Sequence, residues 1–174
     1  HGVDVTIVQP GGFPTKIWEN GNSYTVTMLE RADVHDRLIG ADSIDVLRQG
    51  AIVGTASPRR KAQLLRQRSD LEIRLIRGNV QTRLQKIKDG EYDATLLAAA
   101  GLNRLDMEDV GQEISDDVLL PAPAQGAIGI ETRSDDNHVR RLLHAISAAN
   151  TFRAVTVERL FLERLTADCH SPVA

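Results

Sequence analysis

The stretch Ala51-Ile52-Val53-Gly54-Thr55-Ala56-Ser57-Pro58-Arg59-Arg60 passes directly from a short apolar run into polar residues that begin a helix. The apolar run Ala51–Val53 is typical of a short buried strand. Ser57 is a preferred helix-capping residue, and Pro58 fits the first helical turn, so the pattern predicts a helix to about Arg68. This stretch therefore predicts a strand followed closely by a helix.

The same alternation continues on both sides of this stretch. Predicted strands lie at Val3–Val8, Ser23–Met28, Leu71–Ile76, Ala94–Ala99 and Ala127–Ile130. Predicted helical segments lie at Ala41–Arg48, Val80 to Gly90, Gly101–Leu105, Asn137–Ala149 and Thr151–Leu165, and Leu119–Gln125 is expected to be extended. Strands that alternate with helices through short links predict an α/β fold with a mainly parallel sheet.

The composition excludes several classes of protein. The 174 residues contain 41% hydrophobic and 26% charged residues, which is ordinary for a globular chain. No apolar run approaches the roughly 20 residues that span a bilayer, and no signal peptide is expected at the start. A single cysteine excludes an internal disulfide framework, so we expect a cytoplasmic location. The absence of an initiator methionine suggests a fragment or a processed chain.

The net charge of −3 is unevenly distributed. Between Ser57 and Arg104 there are eleven basic and five acidic residues, a local balance of +6, and the rest of the chain carries −9. Most of the basic residues are arginines, whose planar guanidinium group suits carboxylates and phosphates. One interpretation is a solvated helix surface with scattered ion pairs. The other is a binding site for an anion.

The positions of the arginines favour a binding site. In an open α/β sheet, ligands bind beyond the carboxyl ends of the strands, and several basic or polar residues follow three predicted strands at these ends. They are Thr55, Ser57, Arg59, Arg60, Arg77, Arg83 and Arg104. This pattern predicts a multi-arginine site for a polyanionic small molecule. A nucleic-acid partner is disfavoured because the chain is acidic overall and has few aromatic residues. No membrane partner is expected.

Cysteine and histidine chemistry gives weaker indications. A lone cysteine such as Cys169 is most often a small buried hydrophobe, although its polar surroundings also fit an exposed thiol. No metal site is expected, because the histidines show no ligand spacing with acidic partners; they are His1, His35, His138, His144 and His170.

Five separated motifs then occur in order between Gly54 and the end of the chain, within a match that runs from about Tyr24. They are Gly54-Thr55-Ala56-Ser57-Pro58-Arg59-Arg60, Arg77-Gly78-Asn79-Val80-Gln81-Thr82-Arg83-Leu84, Leu97-Ala98-Ala99-Ala100-Gly101-Leu102-Asn103-Arg104-Leu105, Pro121-Ala122-Pro123-Ala124-Gln125-Gly126-Ala127 and Cys169-His170-Ser171-Pro172-Val173-Ala174. In this order and spacing they resemble the porphobilinogen deaminase family, also called hydroxymethylbilane synthases.

The resemblance implies a three-domain protein whose first two domains are similar to type II periplasmic binding proteins and whose third is a small α/β domain. Residues 1–33 would be a remnant of domain one, 37–117 domain two, 118–134 a crossover back to domain one, and 135–174 the start of domain three. It implies a transferase that condenses four porphobilinogen molecules into a linear tetrapyrrole of the porphyrin and heme pathway, with release of ammonia.

The resemblance also implies a dipyrromethane cofactor, bound covalently to Cys169. Arg59, Arg60, Arg77, Arg83 and Arg104 match the arginines that bind the carboxylates of the pyrroles. Thr55, Ser57 and Gln125 match polar contacts.

One departure bears on activity. Residues 3–14 align with the family pattern A-D-I-A-V-H-S-x-K-D-x-P, but Gly11 and Gly12 stand where the family has lysine and its catalytic aspartate. We therefore expect this chain alone to be poorly active or inactive, and a non-catalytic module that binds a polycarboxylate is the alternative. Family members are expected to be monomers, but the missing part of domain one would expose core surface, so self-association of this chain is also expected.

Overall fold

In the computed structural model, residues 6–8, 24–167 and 171–174 are described. The chain forms two compact units. Unit 2 consists chiefly of Asp33–Pro121, and unit 1 consists chiefly of the segments that flank it, up to Ala32 and from Ala122 onward. No helix within the described part of the chain is long and apolar enough to cross a membrane.

Unit 2 contains a five-stranded sheet in the order β5-β4-β6-β3-β7. The strands are β3 (Asp36–Ile39), β4 (Ile52–Gly54), β5 (Glu72–Arg74), β6 (Ala94–Ala98) and β7 (Gln112–Ile114). β4 pairs in parallel with β5 and β6, whereas β3 pairs antiparallel with β6 and β7. The predicted α/β fold is confirmed, and the sheet is mixed because β3 and β7 add an antiparallel edge to the three parallel strands.

Helices cover both faces of this sheet. They are α1 (Pro58–Gln67), α2 (Val80–Lys88) and α3 (Ala99–Asn103). On one face, Leu64 of α1 belongs to the core that contains Leu38 and Leu96. On the other face, Leu102 of α3 packs with Leu97, and α2 lies against the same cluster. Because neighbouring strand residues point to opposite faces, Leu96 and Leu97 divide the interior between the two layers.

Local capping explains where α1 and α2 begin, and both predicted helices are confirmed. The Ser57 hydroxyl oxygen accepts a hydrogen bond from the backbone N–H of Arg60 at 3.4 Å. The Asn79 side-chain oxygen accepts from the backbone N–H of Thr82 at 2.9 Å. Gly78, with φ +113°, makes the turn before α2, and a Cβ atom there would lie 2.7 Å from the Thr82 side chain. The turn therefore requires glycine.

The predicted helix at Ala41–Arg48 is wrong. This segment forms turns, although Ile44 and Leu47 are buried in the core. The backbone carbonyl oxygens of Ile44, Asp45 and Leu47 accept hydrogen bonds from the Arg68 guanidinium at 3.1–3.2 Å. A side chain from α1's C-terminal end thus satisfies carbonyls that a helix would have bonded to its own amides.

The described residues of unit 1 form an antiparallel sheet in the order β1-β8-β2 and two helices. The strands are β1 (Thr6–Val8), β2 (Tyr24–Met28) and β8 (Gly129–Arg133), and the helices are α4 (Asn137–His144) and α5 (Ala149–Arg164). Val155 of α5 packs with Met28 and Ala124 in the core of this unit. The predicted helix at Asn137–Ala149 is longer than the observed one. α4 ends at His144, and Ala149 is the first residue of α5.

Candidate anion-binding site

The carboxyl ends of β4, β5 and β6 lie along one edge of the unit 2 sheet, because these three strands are parallel. Thr55 and Ser57 follow β4, and Arg77 follows β5 within three residues. The sheet topology therefore brings together strand ends that the sequence predicted to form one rim. This edge is where open α/β sheets bind ligands.

Thr55 and Ser57 organise the turn between β4 and α1. The buried Thr55 donates its backbone N–H to the carbonyl of Arg74 at 2.9 Å, which ties the turn to β5. Its hydroxyl oxygen accepts from the backbone N–H of Ser57 at 3.1 Å, and Ser57 in turn caps α1. These bonds give both side chains a structural role, and contacts to a ligand remain a prediction.

Arg59 and Arg60 share a single buried carboxylate. The Asp36 side chain is fully buried, and its oxygens lie 2.6 Å from a guanidinium nitrogen of Arg59 and 2.6 Å from one of Arg60. Arg59 also donates to the carbonyl of Leu120, and Arg60 to the carbonyl of Leu96 at 3.1 Å. Only 5% of the Arg59 side chain and 13% of the Arg60 side chain are exposed.

The two neighbouring arginines determine whether the buried Asp36 carboxyl group is ionised. Burial acts to raise the pKa of Asp36, but the positive charges and hydrogen bonds of Arg60 and Arg59 outweigh burial and hold that pKa below its usual value. Burial lowers the pKa of Arg59 despite the carboxylate beside it. Asp36 therefore stays ionised between the two guanidinium groups.

These contacts change the interpretation of Arg59. Its guanidinium group is enclosed by protein. It links α1 to Asp36 of β3 and to the backbone of Leu120, near the end of unit 2. The observed structure gives it a structural role, and its predicted contact with a ligand carboxylate stays untested. Asp36 is the member of this cluster that the sequence interpretation missed. The available signal was an acidic residue two positions before the apolar pair Leu38-Ile39, where only a buried partner would stabilise it.

Arg83 differs from this pair. Its Nε donates to the carbonyl of Gly78 at 3.0 Å. Burial lowers the pKa of Arg83, and the positive charge of Arg60 lowers it further, so the two guanidinium groups are electrostatic neighbours. Within the described part of the chain, Arg77, Arg83 and Arg104 form no ion pair. The rim therefore carries partly desolvated positive charge that lacks a carboxylate.

The other predicted residues make none of the contacts above. Arg104 is exposed and directly follows α3, which begins at the carboxyl end of β6 and is only about 8 Å long, so Arg104 stays close to the rim. Gln125 belongs to unit 1, where its side-chain oxygen accepts from the backbone N–H of Ala122 at 3.2 Å. Cys169, Gly11 and Gly12 fall outside the described residues.

A mixed α/β sheet with helices on both faces and guanidinium groups at its carboxyl edge defines an α/β domain with a candidate site for a small anion. A family model described as "Porphobilinogen deaminase, dipyromethane cofactor binding domain" matches residues 4–141. The chain belongs to the porphobilinogen deaminase family.

Curated relatives agree with this family. The porphobilinogen deaminase of Sphingopyxis alaskensis is 57% identical over 152 residues, which cover 84% of this chain and 48% of the relative. The porphobilinogen deaminase of Bacillus pumilus is 48% identical over 149 residues, which cover 83% of this chain and 48% of the relative. The chain spans about half the length of the curated relatives it matches.

A solved structure supports the fold. A nutrient-binding protein from Burkholderia cenocepacia, solved with bound methionine, is similar with a TM-score of 0.52 and 13% sequence identity. The match covers 93% of this chain and 76% of that protein. The expected likeness to periplasmic binding proteins is thereby confirmed at the level of fold.

Proposed function

We propose that this chain is the pyrrole-binding part of a hydroxymethylbilane synthase, which condenses four porphobilinogen molecules into a linear tetrapyrrole and releases ammonia. The single observation that carries the proposal is the rim of unit 2, where Arg77 and Arg83 have no carboxylate partner within the described part of the chain. Membership of the porphobilinogen deaminase family supports this substrate class, because porphobilinogen carries an acetate and a propionate group.

The dipyrromethane cofactor implied by the family fits the same rim. Its pyrrole rings carry carboxylates, and the guanidinium groups of Arg77, Arg83 and Arg104 are the donors that suit them. Cys169 would hold it through a thioether bond. When bound, the cofactor supplies the pyrrole to which the first substrate ring is joined.

The protein's own residues contribute position and charge. Asp36 balances Arg59 and Arg60, so the attraction for an anion comes chiefly from Arg77, Arg83 and Arg104. Arg83 is partly desolvated, and a charge in such a setting interacts more strongly with a bound carboxylate than a fully hydrated one does. The Asp36 ion pairs fix α1 against β3 and so keep this rim in one arrangement.

The residue at position 12 bears on catalysis by this chain alone. The family pattern has a carboxylate at the position of Gly12, and glycine cannot stabilise a cation or move a proton there. We therefore propose that this chain binds carboxylated pyrroles but does not turn porphobilinogen over by itself. A cytoplasmic location belongs to the same proposal. The non-catalytic binding module remains the second candidate, and Gly12 is the observation that favours it.

Binding of porphobilinogen, measured by isothermal titration calorimetry, tests the proposal. Arg83→Glu should weaken binding by about 1.5–3 kcal/mol, the scale of a lost charge-assisted hydrogen bond with an unpaired partner, or roughly ten- to a hundredfold in Kd. Lys88→Glu is the matched control, because Lys88 is exposed at the other end of the same helix. Equal losses in both variants would indicate diffuse attraction and would count against a defined site.

A further inference from the structure

Three carboxylates surround one imidazole ring at the antiparallel side of the unit 2 sheet. An oxygen of Asp33 lies 2.8 Å from Nδ1 of His35, and an oxygen of Glu113 lies 3.9 Å from the same nitrogen. On the other side of the ring, an oxygen of Asp116 lies 3.8 Å from Nε2. The oxygens of Asp33 and Glu113 and the imidazole nitrogen all lie within 4.8 Å of one another.

The backbone fixes the positions of these groups. His35 directly precedes β3, and its carbonyl accepts from the backbone N–H of Ala99 at 3.0 Å. The Asp33 carboxylate also accepts from the backbone N–H of His35 at 2.9 Å. Glu113 lies on β7 opposite Arg37 of β3, so pairing of these two strands brings it beside the imidazole. The cluster thus depends on the sheet as well as on the local turn.

The two distances from the imidazole nitrogen fit a shared metal ion. Zinc binds histidine nitrogen at about 2.0–2.1 Å and carboxylate oxygen at about 2.0–2.2 Å, so two ligands of one ion lie at most roughly 4.3 Å apart. The 2.8 Å and 3.9 Å separations from Nδ1 of His35 both satisfy this limit. A histidine that binds a metal usually directs its other ring nitrogen to a carboxylate, and the Asp116 carboxylate lies on that side of the ring, 3.8 Å from Nε2.

We propose that Asp33, His35 and Glu113 form a binding site for a divalent transition-metal ion, with Asp116 orienting the imidazole from its far side. An imidazole ligand favours Zn²⁺ and similar ions over Mg²⁺ and Ca²⁺, which prefer oxygen alone. The side chains are partly exposed, and 52% of Glu113 is accessible, so an ion can enter from solvent. Three protein ligands leave a coordination position for water.

The site is independent of the proposed pyrrole binding. It involves none of the arginines at the rim. Arg37, on β3, donates to the carbonyl of Glu108. Burial acts to raise the pKa of Asp33, but the hydrogen bonds with His35 and the positive charge of Arg37 lower it, which favours the carboxylate form that binds a metal. The site could not be predicted from residue spacing, because Glu113 lies 78 residues after His35 in the chain. A bound ion would link the segment before β3 to the edge strand β7 and would stabilise that edge.

Titration of the tag-free, chelator-treated chain with Zn²⁺ tests the proposal. We expect one ion per chain, with at least a tenfold loss of affinity in Glu113→Gln and a larger loss in His35→Ala. Asp116→Asn should lose about 10–100-fold, as expected for a residue that orients a ligand. His138→Ala is the matched control, because His138 is an exposed histidine on α4 of unit 1, and it should bind Zn²⁺ as the unaltered chain does.

Several outcomes would overturn the proposal. One is absence of binding by a folded chain, which would leave the cluster as an ion pair between a protonated imidazole and its carboxylates. Another is binding that survives both His35→Ala and Glu113→Gln but is lost in Cys169→Ser, which would place the ion at the thiol. Equal affinity for Mg²⁺ would refute the choice of a transition metal. Glu113→Gln keeps the test valid if His35→Ala fails to fold, since its side chain is half exposed.

Discussion

The change Asp36→Asn should strongly destabilise unit 2. The substitution keeps the shape of the side chain but removes the carboxylate that balances Arg59 and Arg60, whose guanidinium nitrogens each lie 2.6 Å from it. Removing one partner of a buried ion pair typically costs about 3–5 kcal/mol. Because a whole domain is stable by only about 5–15 kcal/mol, this loss would be a large share of the total.

Urea denaturation followed by circular dichroism measures the effect, and hydrogen exchange of the β6 amides assigns it to unit 2. Glu72→Gln is the matched control, since the Glu72–Arg74 pair is about half exposed on β5 and its loss should cost less than about 1 kcal/mol. A loss in Asp36→Asn no greater than that of the control would refute the reasoning.

The same ion pairs predict a pH dependence. The folded-state pKa of Asp36 is lower than its unfolded value of 3.8, so its contribution to stability is present above that value and is lost as the pH falls through the folded pKa. The difference in unfolding free energy between the unaltered chain and Asp36→Asn should therefore be constant near neutral pH and shrink below about pH 4. A difference that stays constant in acid would contradict an ionised Asp36.

Three further predictions concern unit 1, the turn before α2 and catalysis. Glu158→Gln should lower the unfolding free energy by about 1–3 kcal/mol in thermal denaturation, because Glu158 accepts two hydrogen bonds from Arg31 at 2.6 and 3.0 Å; an unchanged melting temperature would contradict this. Gly78→Ala should cost about 1–3 kcal/mol in urea, because φ +113° strains alanine and its Cβ would meet Thr82, and a neutral effect would refute the strain. The purified chain should convert no detectable porphobilinogen to uroporphyrin, measured by absorbance after oxidation, with or without Gly12→Asp; turnover at the rate of a full-length relative would show that the aligned carboxylate is dispensable.

Features with local causes were predictable from the sequence. Ser57-Pro58 and Asn79 mark the starts of α1 and α2 because a cap acts within one helical turn. The parallel strands β4, β5 and β6 follow from the alternation of short apolar runs with helices. These three strands set the edge where Thr55, Ser57 and Arg77 lie, so the location of the candidate site was predictable as well.

Features that depend on distant partners were not predictable. β3 is a strand because it pairs with β6 and β7, whose residues lie more than 50 positions away. The segment 41–48 has a helical pattern, but Arg68 binds its carbonyls. The sequence shows five candidate arginines. It does not show that Asp36, 23 residues before Arg59, forms ion pairs with Arg59 and Arg60.

The intact mass of the chain, expressed in cells that make porphobilinogen, tests the central claim most directly. If Cys169 carries a dipyrromethane, the mass should exceed that of the polypeptide by one such group, and Cys169 should resist alkylation. Cys169→Ser should give the mass of the polypeptide alone. A bare polypeptide mass for the unaltered chain, with Cys169 fully alkylated, would contradict the proposed function.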